Sequence, residues 1–219
     1  RDALPLAQRG HTVLLLDRSA AMLAEAEQRA AALGVSNCIH TRCVDVAAGE
    51  LPPTPAGYDL VLCHNVLQYL PEPTPLLHAS VRVLRPGGWL SVLIPNPASE
   101  TLRLALQQHD LSAALDSLTA TTHYNHFYGV EMHLRTLPGW FDLLRGAGFE
   151  AIDYAGVRCV NDYLQDDTVK FGADAFPRLL ALEQALGMRS PYRDIARLCQ
   201  ITARKPMNHS DAAVSRRRR

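Results

Sequence analysis

Residues 12–17 read TVLLLD, and this short stretch decides the fold class. An almost continuous apolar run that ends in an acidic residue is typical of a parallel strand buried on both faces. The residues that follow predict a helix: Ser19 suits its N-cap, residues 20–33 place apolar side chains at helical spacing, and Gly34 suits its end. A buried strand followed at once by a helix is the repeating unit of a parallel α/β sheet.

The same succession continues along the chain. A helix is predicted at 75–84 and is stopped by the residues RPGG at 85–88. Further strands are predicted at 38–44, 59–63, 89–94, 150–157 and 197–203. Further helices are predicted at 137–146 and 176–187. This alternation predicts a doubly wound α/β fold with a mostly parallel sheet.

Composition bounds the class of protein. The chain has 219 residues, of which 47% are hydrophobic and 20% charged, so a disordered chain and a disulfide-dense miniprotein are both excluded. The longest apolar runs are strand-sized, so no membrane span is expected. Five cysteines without a CxxC pair indicate reduced thiols in a cytoplasmic protein.

Charge gives no strong attraction to nucleic acid. Basic and acidic residues number 22 each, and residues 216–219 supply four of the basic ones. Without those four, 18 basic residues face 22 acidic ones, a balance of −4. The folded part is therefore expected to be mildly acidic.

Polar residues stand where three predicted strands end, which is where ligands bind in open parallel sheets. Asp17 could accept both hydroxyls of a ribose, or stabilise the start of the next helix. Asp45 could accept from the amino group of an adenine, or form an Asx-turn. His64, next to Asn65, could be a base, a stacking platform or a substrate contact, or a hydrogen-bonded structural group.

Residues 98–116 are predicted to be helical without a partner strand, and residues 119–129 are polar and rich in aromatic side chains and histidine. We expect this region to form a lid inserted at about 98–136. Its histidines lack the spacing of a metal site, so no metal is expected. No P-loop, GxSxG elbow or Gly-rich dinucleotide motif occurs in the chain.

Four segments together resemble the class I S-adenosylmethionine-dependent methyltransferases: TVLLLDRSAAMLAEAEQRA at 12–30, RCVDV at 42–46, YDLVLCHNVLQYLPEP at 58–73 and VLRPGGWLSVLIPN at 83–96. The resemblance implies a Rossmann-like doubly wound sheet, mostly parallel, with one antiparallel strand near the C-terminus. It also implies that the family's first strand and Gly-rich loop lie upstream of Arg1 and are absent here. We therefore expect a single, N-terminally truncated domain over residues 1–206, followed by a disordered basic tail at 207–219.

A closer resemblance is to the bacterial tRNA 5-carboxymethoxyuridine methyltransferases. It is carried by RGHTVLLLDRSAAM at 9–22, CHNVLQYL at 63–70, GVRCVNDYL at 156–164 and ITARKP at 201–206. Members of that family transfer the methyl group of S-adenosyl-L-methionine to a carboxylate on a modified wobble uridine, which forms a methyl ester. The resemblance therefore implies S-adenosyl-L-methionine as cosubstrate and tRNA as partner.

The resemblance also implies roles for individual residues. Asp17 would bind the cosubstrate ribose with Arg18 alongside, and Met22 would pack near the adenine. Three residues would border the adenine edge: Cys43, Val44 and Asp45. His64 would lie between cosubstrate and substrate. Two residues would contact the acceptor carboxylate or the RNA: Arg158 and Tyr163.

Two alternatives stay open. Residues 113–128 contain no lysine or arginine, which favours a small-molecule methyltransferase of the same fold. A carboxylate acceptor is already ionised and needs no general base, whereas a hydroxyl or amine acceptor would make His64 the base. The start at Arg1 favours the second alternative, an inactive fragment or binding module that lacks the cosubstrate loop.

Overall fold

The computed structural model describes residues 2–207, so the tail predicted at 207–219 lies, except for Met207, outside the described residues. The described chain falls into two compact units, one ending at Pro52 and the other beginning at Pro53. The single domain over residues 1–206 and the lid inserted at about 98–136 stay predictions. Within the described range, no helix has the length and apolar character needed to cross a membrane.

The first unit is a strand–helix–strand motif. It contains α1 (Ala3–Gln8), β1 (Val13–Asp17), α2 (Ala20–Ala32) and β2 (Ile39–Cys43). The two strands pair in parallel, and α2 begins at Ser19, whose side chain accepts a hydrogen bond from the Met22 N–H at 3.3 Å. The helix packs Ala30 against Ile39 and the alanines of α1, which form the core of this unit. The predicted parallel unit built from residues 12–44 is confirmed.

The second unit contains the larger sheet. The strands of the second unit are β3 (Tyr58–His64), β4 (Leu84–Pro95), β5 (Thr122–Asn125), β6 (Val130–His133), β7 (Glu150–Val157) and β8 (Leu198–Arg204). Its helices are α3 (Thr74–Val83), α4 (Pro97–Leu106), α5 (Leu111–Ser117), α6 (Leu137–Ala147), α7 (Asp167–Phe171) and α8 (Ala175–Gly187). The strand order in the main sheet is β3-β4-β8-β7.

In this sheet β8 is the antiparallel strand. It runs antiparallel to both β4 and β7, whereas β3 and β4 are parallel. Alternate side chains of the central strands form the core of this unit. The buried residues are Leu90, Val92 and Ile94 of β4 and Ile201 of β8, together with Trp140 of α6. The predicted mostly parallel sheet with one antiparallel strand near the C-terminus is confirmed.

One boundary differs from the prediction. The residues RPGG at 85–88, expected to separate helix from strand, are the extended beginning of β4. Gly88 packs so closely that an added Cβ would lie 2.9 Å from the Arg85 carbonyl oxygen, and its own carbonyl accepts from the Lys205 N–H at 2.9 Å. Gly87, whose φ is +74°, donates its N–H to the Lys205 carbonyl at 3.1 Å, so pairing with the chain after β8 holds both glycines within the strand.

A second difference lies in the polar stretch at 119–129, where β5 and β6 form an antiparallel hairpin that the strand pattern did not predict. The turn accounts for it. Gly129 has φ +65° and donates its N–H to the Asn125 carbonyl at 2.8 Å. The turn therefore defines the hairpin, while Val130 and Met132 alternate with polar residues in a strand of only four residues.

Candidate functional site

The first group of candidate residues lies at the carboxyl ends of β1 and β2. Asp17 and Cys43 are register partners at the ends of the two strands, and the Val44 N–H donates to the Asp17 carbonyl at 3.0 Å. The Cys43 thiol lies 3.5 Å from the Arg18 carbonyl oxygen. The structure therefore brings these residues, with Asp45 next in the chain, to one edge of the two-stranded sheet.

Asp17 is held in place by the start of α2. It is half-buried, and its Oδ1 accepts from the Ser19 N–H at 2.8 Å. This bond is the helix-start role considered from the sequence. It uses one of about four acceptor sites of a carboxylate, so the group retains capacity for further donors such as a pair of hydroxyls.

Asp45 forms the Asx-type turn, one of the two alternatives considered for it from the sequence. Its Oδ1 accepts from the Ala47 N–H at 2.9 Å, and the side chain is exposed. Met22 lies in the first turn of α2 with 61% of its surface exposed. Both side chains are therefore accessible in this unit. Asp45 offers a hydrogen-bond acceptor, and Met22 offers an apolar surface.

His64 is the last residue of β3 and belongs to a hydrogen-bonded chain across the main sheet. Its Nε2 lies 3.0 Å from Oγ of the buried Ser91, which in turn accepts from the Gln200 amide at 3.1 Å. Two neighbouring strands thus hold the imidazole in a fixed orientation. Neither Ser91 nor Gln200 carries a local sequence signal, because only the pairing of β3, β4 and β8 brings them to His64.

Arg158 directly follows β7, which runs in the same direction as β3, whose last residue is His64. The two residues therefore lie at the same edge of the main sheet. Arg158 adopts the left-handed region with φ +63°. Its Nε donates to Oδ1 of Asp162 at 2.7 Å. Its guanidinium is half-exposed and bound within its own loop.

Tyr163 lines a small cleft whose cavity volume is about 10 Å³. The other lining residues are Ser99, Arg103, Gln107, Asp162 and Arg197. Burial, with the nearby charge of Asp162, raises the pKa of Tyr163. The phenol therefore keeps its proton at neutral pH and can donate a hydrogen bond into the cleft.

The cleft borders a network of alternating charges. Glu100 accepts from Arg103 and from Arg197, each at 3.0 Å, and Asp162 lies between Arg158 and Arg197. Burial alone would raise the pKa of Glu100, but the two guanidinium groups outweigh it and lower that pKa to about 2. Three guanidinium groups therefore face two carboxylates, and the excess positive charge favours an anionic ligand.

Arg103 and Arg197 belong to the site although no motif in the sequence predicts them there. The spacing of Glu100 and Arg103 at positions i and i+3 on a helix was a usable signal for their pairing. Arg197 had no comparable signal, because it reaches Glu100 only through the fold. Among residues 2–207, no group of three or more potential metal ligands comes together.

Two comparisons identify the family of the sequence. A family model described as "Methyltransferase domain" matches residues 1–92. The chain is 33% identical over 213 residues to the tRNA 5-carboxymethoxyuridine methyltransferase of Escherichia coli strain K12, which spans 95% of this chain and 77% of that protein. That similarity extends over both compact units.

Other similarities are more partial or concern the fold. The ubiquinone biosynthesis O-methyltransferase of Leptothrix cholodnii is 33% identical over 123 residues, covering 54% of this chain and 48% of that protein. The crystal structure of an S-adenosylmethionine-dependent methyltransferase from Mesorhizobium loti superposes with a TM-score of 0.56. It covers 89% of this chain and 80% of the other at 21% identity, which supports the fold alone.

Proposed function

Because this chain belongs to the class I S-adenosylmethionine-dependent methyltransferases, in the family of the tRNA 5-carboxymethoxyuridine methyltransferases, we propose that it methylates the carboxylate of 5-carboxymethoxyuridine at the tRNA wobble position. The observation that carries this proposal is the extent of the similarity. The tRNA-modifying relative matches 95% of the chain, including the loop with Arg158 and Tyr163, whereas the O-methyltransferase of Leptothrix cholodnii matches 54%.

The residues at the ends of β1 and β2 fit the nucleoside part of the cosubstrate. The remaining acceptor capacity of Asp17 suits the two ribose hydroxyls, with Arg18 alongside. Asp45 suits the amino group of adenine, and the exposed Met22 offers an apolar surface to the base. We assign Cys43 and Val44 to the adenine edge.

When bound, S-adenosylmethionine would supply a sulfonium-activated methyl group, which the acceptor oxygen would take in line while S-adenosylhomocysteine leaves as the C–S bond breaks. The protein's part is alignment, since a carboxylate acceptor is ionised at neutral pH and needs no general base. In this proposal the Tyr163 hydroxyl and the Arg158 guanidinium bind the acceptor carboxylate, and His64 contacts the bound ligands. Asp162 partly neutralises Arg158, so the acceptor is oriented while its oxygen keeps its nucleophilicity.

The β5–β6 hairpin supports tRNA as the partner. Its turn exposes 87% of Phe127 and 65% of Tyr128, whose rings meet edge to face with centroids 4.9 Å apart. Oδ1 of Asn125 accepts from both of their N–H groups, so the aromatic side chains are held out by a defined turn. Exposed, preorganised rings bind unpaired RNA bases by stacking, which requires no lysine or arginine.

The direct test is transfer of label to tRNA. The full chain is incubated with methyl-labelled S-adenosylmethionine and with tRNA that carries 5-carboxymethoxyuridine, and matched tRNA with 5-methoxyuridine serves as control. We expect a base-labile methyl ester on the first tRNA only. Absence of label, or equal labelling of both tRNAs, would contradict the proposed acceptor.

A small-molecule acceptor is the second candidate. It is favoured by the absence of lysine and arginine from residues 113–128 and by the match to an O-methyltransferase. For a phenolic hydroxyl, His64 would be the base, so His64→Ala should slow transfer more than Arg158→Ala does. For the carboxylate of tRNA the order should reverse. The pair of variants, assayed on both acceptor classes, decides between the two candidates.

A further inference from the structure

A single carboxylate holds the loop that carries the proposed acceptor contacts. Glu183 of α8 accepts hydrogen bonds from three consecutive backbone N–H groups, at 2.6 Å from Cys159, 2.9 Å from Val160 and 2.7 Å from Asn161. Successive N–H groups that converge on one anion form a nest. These bonds use no side chain of the loop, so no residue pattern in the loop reveals them.

The helix that carries Glu183 is itself fixed against the sheet. Leu179, Glu183 and Gly187 recur every four residues and therefore share one face of α8, on which Leu179 and Gly187 are buried. A Cβ added to Gly187 would lie 2.4 Å from the Gly156 carbonyl oxygen. The helix backbone thus packs directly on β7, and the position of the carboxylate relative to this strand is set.

The loop needs such an anchor because its first residue is strained. Arg158 has φ +63°, a conformation that costs a residue with a Cβ about 1–2 kcal/mol. Its carbonyl accepts from the Arg197 N–H at 3.1 Å, and its guanidinium is bound to Asp162. The three bonds to Glu183 follow immediately, so they hold the backbone between Arg158 and Tyr163 in one arrangement.

We propose that Glu183 is a positioning residue for methyl transfer: it sets Arg158 and Tyr163 toward the acceptor carboxylate without touching it. This inference rests on the proposed function, because it takes these two side chains as the acceptor contacts. This role of Glu183 needs a carboxylate, because two oxygens can accept from three converging N–H donors, whereas a glutamine amide offers one oxygen. The expected order of function is therefore wild type, then Glu183→Gln, then Glu183→Ala.

The kinetic test separates acceptor from cosubstrate. With the acceptor that the wild-type chain methylates, Glu183→Ala should raise the acceptor KM about tenfold and Glu183→Gln by less, the range expected for lost charge-assisted hydrogen bonds. The Kd of S-adenosylhomocysteine should stay within about twofold, since that ligand does not use the loop. Gln184→Ala, at an exposed position on the same helix, is the matched control and should leave both constants unchanged.

A double mutant distinguishes positioning from general stability. If Glu183 acts only through Arg158 and Tyr163, then adding Glu183→Ala to the double mutant Arg158→Ala/Tyr163→Phe should slow transfer no further. Losses that multiply would overturn the inference.

Amide hydrogen exchange gives a readout that does not depend on the acceptor. In Glu183→Ala, residues 159–161 should exchange faster while β4 and β8 keep their protection. Faster exchange at these residues would support the anchoring role of Glu183 even if tRNA is not methylated. Absence of tRNA methylation would refute only the proposed function. Unchanged exchange at 159–161 would overturn the inference, and loss of protection throughout the sheet would assign Glu183 to folding instead.

Discussion

At the scale of single residues, Asp17 combines a structural bond with a proposed ligand contact. Replacing Asp17 with asparagine keeps an oxygen for the Ser19 N–H but removes the charge, so we expect weaker S-adenosylmethionine binding with little change in melting temperature. Asp17→Ala should lose about 2–3 kcal/mol of binding free energy, the value of a charge-assisted pair. Calorimetry on the full chain measures both variants, and a loss of less than a few-fold would exclude the ribose role.

Glu100 makes the stability of the protein depend on pH in a defined window. Its pKa is lowered to about 2 in the folded state from an ordinary value of 4.5, so its contribution is complete above about pH 5 and is lost as the pH falls toward 2. Glu100→Gln should therefore destabilise the protein at pH 7 by about 3 kcal/mol, since it leaves Arg103 and Arg197 without their shared partner. Urea unfolding from pH 7 to pH 2 should show the two proteins converging. A constant difference over that range would mean that the carboxylate charge does not matter.

At the scale of elements, the aromatic hairpin can be tested apart from the chemistry. Phe127→Ala should raise the KM for tRNA about tenfold, within the range for loss of one stacked base, and Phe127→Trp should retain binding. Stacking releases no counterions, so the salt dependence of tRNA affinity should keep its slope. Leu118→Ala removes a similarly exposed apolar side chain outside the hairpin and is the control. Equal effects of the two alanine variants would contradict a specific role for the turn.

The contact of α8 with β7 supplies a matched pair of glycine substitutions. Gly187→Ala places a methyl group 2.4 Å from a carbonyl oxygen and should destabilise the protein by about 1–3 kcal/mol. Gly146→Ala, inside α6, meets no atom within 4 Å and should be neutral or stabilising by up to about 1 kcal/mol. Urea midpoints of the two variants make the comparison. A Gly187→Ala protein as stable as the wild type would show that α8 can move away from β7.

At the scale of the whole molecule, the distribution of charge bears on tRNA association. The formal net charge is zero only because residues 216–219 supply four positive charges. Replacing these arginines with alanine should lower tRNA affinity at low salt and reduce the salt slope by about 0.7 for each phosphate that is no longer neutralised. Binding of S-adenosylhomocysteine should not change. An unchanged slope would show that these charges do not bind RNA.

The elements that sequence analysis predicted well are those specified within a few residues. Strand β7 was predicted at its observed bounds, and α2 begins at the expected cap, Ser19. Apolar runs and caps depend on near neighbours in the chain, so their pattern is visible without the fold. The hairpin at Asn125 was missed because each of its strands has only four residues, too few for a clear alternation. The strand at 89–94 was predicted too short because pairing after β8 extends it.

The class of sheet, the edge at which Asp17 and Asp45 lie, and the family all follow from local apolar runs, turn residues and motifs. The surroundings of His64, Arg158 and Tyr163 follow instead from contacts between distant segments. Glu183 lies 22 to 24 residues from the N–H groups it binds, and Gln200 lies 109 residues from Ser91. Partners so far apart in the chain meet only when strands pair and helices pack. Local sequence propensity does not specify such contacts. The conformation of the loop that carries Arg158 and the hydrogen bonding around His64 therefore depend on the fold.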